Sequence, residues 1–287
     1  MKPSSFEYIR PKTVDEALAS LDRAGDEGKL LSGGQSLIPM MNLRMVQPEV
    51  LIDIGRLEEL DFIRVEGDEL VIGAMTCHNT VLHSPQVAEH CPLIAEGYQF
   101  VAHHAIRNRG TLGGSLSHHG PASEMPLVAT LMDAVLVIRS IDGERRVPAT
   151  DFFVDTFETI LEPNEILTEI RFPCQATEEG FGFDEVSQRK GDYAIVAVGC
   201  RFSVSRGACK NVRFGMVGVG TDIKRILVAE LALEGQPANE ESFSKAIDVA
   251  VQHARPDADI HADIPYKLEL IEVLANRVLS AAAKRAS

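Results

Sequence analysis

Two short stretches constrain this chain more than any others: LLSGGQSLIP (30–39) and RGTLGGSLS (109–117). In the second, Gly110, Gly113 and Gly114 put three glycines within five residues. A backbone so lightly substituted can turn through φ > 0 and can approach another backbone, or a ligand, closely. Neither stretch matches G-x-G-x-x-G, and neither contains G-K-[ST]. A Rossmann dinucleotide site and a P-loop are therefore disfavoured. Both stretches set small residues beside hydroxyls: Ser32 and Ser36 in the first, Thr111, Ser115 and Ser117 in the second. Successive N–H groups in such turns can form an anion-binding nest, and hydroxyls add neutral donors. Two such turns can hold one pyrophosphate between them. They can equally be ordinary strand-to-helix turns, and the residues alone leave both readings open.

Charge bears on that choice. The 287 residues carry a formal net charge of −14, which argues against a nucleic-acid surface, where Lys and Arg must be in excess. A small anion held by backbone N–H groups remains compatible with an acidic chain. Apolar residues make up 45%, as in an ordinary globular protein, and the length suits one large domain or two. No apolar run approaches the roughly 18 residues of a membrane span. The opening MKPSSFEYIRPKT lacks the apolar core of a secretion signal. The five cysteines (Cys77, Cys91, Cys174, Cys200, Cys209) show no C-x-x-C pairing. They read as reduced cytosolic thiols, so any iron–sulfur cluster must come from a partner.

Along the chain, TVDEALASLDRAG opens with Thr13 and places Glu16 three residues on, a capping box. Ala17, Leu18 and Leu21 have helical spacing, and Gly25 is a stop. GKLLSGG, EVLIDIG and DELVIGAM read as strands, the last preceded by a turn at 66–68. The spacing predicts helices over 85–103 and 127–134, a strand at AVLVIRS, a hairpin arm and loop at GERRVPATDFF, and an alternating strand at EILTEIRFP. PCQATEEGFG (173–182) is polar and bears Gly and Pro, so it reads as a connector and domain boundary. Beyond it, YAIVAVGCRFSV and CKNVRFGMVGVG read as antiparallel strands, followed by helices over Glu240–His253 and 267–284. No internal repeat is evident.

Other chemistry is sparse. His103–His104 and His118–His119 are adjacent pairs. In a strand such neighbours point to opposite faces, so structural or surface roles are favoured over metal ligation. No G-x-S-x-G marks a nucleophilic serine. In QRKGDYAIV (188–196), Arg189 and Lys190 precede a Gly191–Asp192 turn, and Tyr193 stands at the mouth of an apolar strand. An aromatic there can cover a planar ring; it can equally be a core tyrosine.

Together, in this order and spacing, these stretches resemble the FAD-binding medium subunit of the molybdenum hydroxylases, a family that includes xanthine dehydrogenase, carbon monoxide dehydrogenase and quinoline oxidoreductase. FEYIRPKTVDEAL is similar to the family's opening, SGGQSLIPMMNLR to its first flavin loop (A-G-G-x-S-L-x-P), IRNRGTLGGSL to its second (R-N-x-G-T-I-G-G-N), and RKGDYAIV to the segment beside the isoalloxazine ring. The resemblance covers essentially the whole chain. It implies an α+β protein: an FAD-binding domain of the vanillyl-alcohol oxidase/MurB type over 1–175, with subdomains of about 1–55 and 56–175, then a C-terminal domain over 176–287 of small antiparallel sheet plus helices.

The resemblance also implies contacts. Leu31, Ser32, Gly33, Gly34, Gln35, Ser36 and Leu37, with Thr111, Gly113, Gly114 and Ser115, would cradle the pyrophosphate. His118 would line the site through its backbone, and Glu124 would bond FAD hydroxyls. Leu167 would pack on the flavin or adenine side, and Lys190, Asp192 and Tyr193 would lie by the ring. No catalytic residue and no metal ligand is expected on this chain. Ser115 stands where the family commonly has Asn, and Ser32 where it has Ala. Asp184 and Glu185 stand where many relatives carry a lysine; if they point inward, they add negative charge near the ring and lower the flavin potential.

The activity implied is electron transfer. FAD on this chain would accept electrons from [2Fe–2S] clusters of a small partner and pass them to an external acceptor. A large partner would carry molybdenum–molybdopterin and oxidise the substrate, expected to be an N-heteroaromatic compound or another small molecule. The expected assembly is a cytoplasmic dimer of heterotrimers, any membrane association coming through partners, with no nucleic acid. Alternatives are a carbon monoxide dehydrogenase medium subunit, a self-contained MurB-like flavin reductase, and a scaffold subunit that has lost its flavin.

Overall fold

A computed structural model describes residues 1–220 and 224–286. The chain opens with β1 (Glu7–Ile9), α1 (Val14–Ala24), β2 (Gly28–Leu31), α2 (Leu37–Asn42) and β3 (Val50–Asp53). The strands form a parallel sheet in the order β1-β3-β2. Thr13 caps α1 as expected, accepting from Glu16 N at 3.1 Å, but the Glu16 carboxylate accepts from Lys12 N at 2.8 Å, one residue ahead of the cap, rather than from Thr13 N as a full capping box has it. Gly25, at φ 54°, stops the helix as expected. Val14, Ala17, Leu18 and Leu21 form the buried stripe of α1, packed with Ile52, Ile54 and Leu57.

The middle of the chain holds β4 (Ile63–Glu66), β5 (Glu69–Gly73), α3 (His78–Leu82), α4 (Pro85–His90), α5 (Pro92–Gly97), α6 (His104–Arg107), α7 (Leu112–His118) and α8 (Glu124–Leu131). It continues through β6 (Val135–Ser140), β7 (Gly143–Pro148), α9 (Ala149–Phe152), β8 (Phe153–Asp155), β9 (Glu158–Thr159) and β10 (Ile166–Pro173). Five strands pair antiparallel in the order β4-β5-β10-β6-β7. The helix expected over 85–103 is two short helices instead. Pro92 cannot continue the first, so Cys91 turns to φ −143° and Pro92 opens the second. The helix expected over 127–134 begins three residues earlier, at Glu124, and ends at Leu131; Asp133 takes a left-handed φ of 51°. Every residue of α8 is buried, which is why its apolar pattern runs all round.

The last part holds β11 (Glu179–Ser187), β12 (Ala194–Ser205), β13 (Ala208–Val217), β14 (Lys224–Arg225), α10 (Leu227–Leu233), α11 (Glu240–His253) and α12 (Ile264–Arg285). The strands make one antiparallel sheet in chain order. The connector expected at 173–182 is shorter: β10 runs to Pro173 and β11 starts at Glu179. α12 crosses one face so closely that a Cβ on Gly180 would lie 1.8 Å from Ala282 O. The other face packs on α5 and α8, where Phe183, Ala194, Ala197 and Val217 join the central core with Leu127, Val128 and Leu131. Asp133 fixes that junction by accepting from Arg201 (2.7 Å), Arg213 (2.9 Å) and Arg225 (3.1 Å). The protein is thus α+β, with a C-terminal antiparallel sheet and helices. Among the described residues, no helix is long and apolar enough to cross a membrane.

Candidate functional site

The two glycine stretches, 79 residues apart where Ser32 meets Thr111, touch each other. A Cβ on Gly33 would lie 2.1 Å from Arg109 O and 2.7 Å from Gly110 Cα, so only glycine allows the turns to meet backbone to backbone. The Ser32 and Thr111 hydroxyls lie 2.6 Å apart.

The turns offer different donors. In the first, Leu31 ends β2, Gly34 takes φ +73°, and Gln35 folds back to donate to Gly33 O at 3.2 Å. Ser36 and Leu37 then lead into α2 without a side-chain cap bond. Among the described residues, the N–H groups of Gly33, Gly34, Gln35 and Ser36 donate to no other backbone group. In the second turn the N–H groups are already engaged. Leu112 N donates to Thr76 O (3.0 Å), Gly113 N to Ala74 O (2.9 Å), and Gly114 N to the Thr111 hydroxyl (3.0 Å). Gly113 is there for contact: its Cβ would sit 2.4 Å from Ala74 Cβ. The second turn thus contributes hydroxyls and close approach, while the first contributes unengaged N–H groups. That set suits pyrophosphate oxygens and sugar hydroxyls.

Beyond α7 the site continues into α8. The Ser115 and Ser123 hydroxyls lie 3.1 Å apart, and Glu124 follows at only 6% exposure. Burial pushes the Glu124 carboxyl up to about 7. Of the two adjacent histidines, His119 is structural. It caps α7 at φ 45° and its Nδ1 donates to Asp155 O at 2.6 Å, anchoring β8. His118 is half-buried against the Phe157 ring at 4.9 Å, and burial lowers its pKa. Leu167 lies in β10 opposite Ile138 and is buried in the central core at 4% exposure. It neighbours Thr168, whose carbonyl accepts from Ala74 N, the residue under Gly113.

Lys190, Asp192 and Tyr193 occupy the turn between β11 and β12. Asp192 lies 3.7 Å from His103 Nε2, and a Cβ on Gly191 would lie 2.4 Å from His103 Nδ1. The turn therefore sits on the lead-in to α6 and the second glycine stretch. Tyr193 is 70% exposed, so it is not a core tyrosine. Asp184 and Glu185 part company. Asp184 faces α12 and pairs with Arg277 at 3.2 Å. Glu185 faces inward, at 9% exposure.

The sequence reading passed over two buried polar groups, His78 and Tyr98. His78 lies under the second turn, where a Cβ on Gly110 would meet its ring at 2.8 Å. Its Nδ1 is 3.2 Å from the Tyr98 hydroxyl, and burial lowers its pKa to about 4. Tyr98 is fully buried, which raises its pKa. The inward direction of Glu185, which the residues left open, follows from alternation: Phe181, Phe183 and Glu185 share one face of β11. Assigning 173–182 to a connector hid that alternation. Among the described residues, no group of three or more His, Cys, Asp or Glu side chains could hold a metal ion.

Comparison with known proteins gives the family and the fold. A family described as "FAD binding domain in molybdopterin dehydrogenase" matches residues 4–175, and one described as "CO dehydrogenase flavoprotein C-terminal domain" matches 181–282. The chain is 38% identical to the carbon monoxide dehydrogenase medium chain of Hydrogenophaga pseudoflava, over 99% of each chain. Its fold is similar to carbon monoxide dehydrogenase from the same organism at a TM-score of 0.97, with 39% identity and full coverage of both chains. It is also similar to quinoline 2-oxidoreductase from Pseudomonas putida 86 at a TM-score of 0.94 and 34% identity, over 100% of this chain and 99% of that one. The chain belongs to the family of FAD-binding medium subunits of molybdenum hydroxylases, and is an oxidoreductase subunit.

Proposed function

We propose that this chain is the electron-transfer component of a three-part complex. A small partner carries [2Fe–2S] clusters, a large partner carries the molybdenum cofactor and the substrate, and two such trimers pair, in the cytoplasm. Bound FAD supplies the redox chemistry, exchanging single electrons with an iron–sulfur centre and two with an external acceptor. The protein supplies position and electrostatics. Residues 1–175 serve as the FAD-binding domain, in parts of about 1–55 and 56–175, and 176–287 as the second domain.

The observation that carries the reading is the contact of Gly33 with Arg109–Gly110, which joins a turn with unengaged N–H groups to one with hydroxyls. The N–H groups of residues 33–36 and the hydroxyls of Ser32, Thr111 and Ser115 hold the pyrophosphate. Gly113 seats this turn on Ala74, and Gly114 lets the ligand come close. Glu124 bonds FAD hydroxyls, Leu31 and Leu37 flank the cradle, His118 lines the site through its backbone, and Leu167 packs on the flavin or adenine side. The exposed Tyr193, with Lys190 and Asp192, covers the ring. No nucleophile or acid–base pair is assigned here, because the substrate is oxidised on the large partner. Relatives acting on carbon monoxide and on quinoline are both similar over the full chain, so the large partner sets the substrate.

The test uses the purified full chain. It is expected to show flavin absorbance near 450 nm and no turnover of NAD(P)H on its own. Steady turnover by the isolated chain would favour the self-contained reductase, and a colourless folded chain would favour the scaffold. Glu124→Ala is expected to weaken FAD retention about tenfold or more, corresponding to the loss of roughly 1.5 kcal/mol of hydrogen bonding. Unchanged retention in an equilibrium titration would remove that contact.

A further inference from the structure

Glu185 is a buried acid without a cationic partner. Neither carboxylate oxygen is held by a hydrogen bond of good geometry among the described residues, and the neutral Ser187 hydroxyl beside it offsets only part of the cost of burial. Its direction follows from the sheet. It shares a face of β11 with Phe183, and Phe183 lies against α5 and α8: Cβ atoms on Gly97 and Gly199 would approach both Phe183 and, respectively, Val128 and Leu131. Glu185 stands one row further along, opposite Ala197, which in turn pairs with Val217. Next to that row, Gly218 N donates to Pro121 O at 3.4 Å, just ahead of α8. Glu185 therefore enters the molecule where α8 begins, and α8 begins with the buried Glu124.

No cation neutralises the two acids among the described residues. From α5, Glu96 accepts from Phe183 N and pairs with Arg285, and the Tyr98 hydroxyl meets His78. Arg107 donates to Val101 O and Ala102 O. From α7 and its cap, His118 and His119 lie tilted against the rings of Phe157 and Phe153. On β11 itself, Asp184 pairs with Arg277 on the opposite face, and the Ser187 hydroxyl donates to Arg189 O. On β12 and β13, Arg201 and Arg213 are held by Asp133 beyond the far end of α8. Two buried carboxyls that share a site and lack a counter-ion cannot both ionise cheaply.

We propose that Glu124 and Glu185 form one acid pair that shares a proton beside the FAD cradle, and that FAD binding retains this proton. The proposal rests on the assignment of Glu124 to the FAD site. The charges support it: burial raises Glu124 to about 7, and burial followed by the charge of Glu124 raises Glu185 to about 8. The pair titrates as a unit. A shared proton lets one carboxyl accept from a hydroxyl while the other donates. It also keeps a second negative charge away from a dianionic pyrophosphate. Glu185 thus adds less negative charge near the flavin at neutral pH than its residue type implies.

The experiment titrates the flavin-free full chain with FAD at pH 6, 7.5 and 9, following flavin fluorescence, with circular dichroism as a check on folding. Affinity is expected to fall by up to about tenfold per pH unit between 7.5 and 9, the limit for one linked proton. Calorimetry at pH 8.5 in two buffers of different ionisation heat is expected to show net proton uptake. Glu185→Gln is expected to bind FAD at pH 6 and to flatten the alkaline fall. Binding with no pH dependence and no proton uptake in the natural chain overturns the proposal, whether or not the variant folds. An equal slope in a folded Glu185→Gln chain also overturns it. Failure of the natural chain to bind FAD at any pH overturns the FAD assignment and the proposal together.

Discussion

Gly33 shows how one residue can decide whether a site exists. Any side chain there meets the Arg109 carbonyl at 2.1 Å, a backbone atom that cannot step aside. Gly33→Ala must push the two turns apart. It is expected to cost about 2 kcal/mol or more of stability and to abolish FAD retention, measurable as a drop in Tm and loss of flavin absorbance. Ser32→Ala is milder: it removes the hydroxyl contact with Thr111, and urea unfolding is expected to show a loss of about 1 kcal/mol. Glu185 acts on stability through pH. Its carboxyl and that of Glu124 ordinarily ionise at 4.5, and in the folded chain at about 8 and about 7. The folded chain therefore binds more protons. Their contribution is fully present below about pH 4.5 and is lost as pH rises through 7 and 8. Thermal stability is expected to fall between pH 6 and 9, and less steeply in Glu185→Gln. A parallel fall in both chains would remove Glu185 from that account.

Among the elements, those with long periodic patterns were legible in the sequence and the short ones were not. α1 carries its cap, stripe and glycine stop in the residues themselves. β12, β13 and α11 are long enough for alternation or helical spacing to show. α2, α3, α6 and α7 span only 4 to 7 residues. Helices that short have no full period to read and are held by packing rather than propensity. The glycines of the second turn were legible as a turn, but the engagement of its N–H groups by Ala74 and Thr76 was not. That depends on β5 passing beneath, a contact no local pattern carries. The Asp133 junction is similar. Its three arginines come from β12, β13 and β14, distant in sequence from a single aspartate at a left-handed turn. Asp133 is about one-third exposed and Arg201 only 10%. Asp133→Ala is therefore expected to cost about 1–2 kcal/mol in urea unfolding, below the cost of breaking a fully buried pair. A change under a few tenths would show that the junction is held by its apolar core alone.

At the scale of the molecule, the central core is built from both sides of the 174–178 connector: α5 and α8 from one, Phe183, Ala197 and Val217 from the other. Such a core holds the β11–β12 turn against His103 at the start of α6, and Tyr193 in that turn is exposed. The α+β class and the family were legible because the motifs are local and ordered along the chain. The substrate was not, because in the proposed assembly it meets another chain. That proposal is tested most directly by purifying the native complex and measuring its molybdenum, iron and FAD together. The account predicts one molybdenum and about four iron atoms per FAD, as two [2Fe–2S] clusters require, in constant ratio across the elution peak. A flavin-bearing chain that elutes alone, free of both metals and fully active with its own substrate, would contradict it.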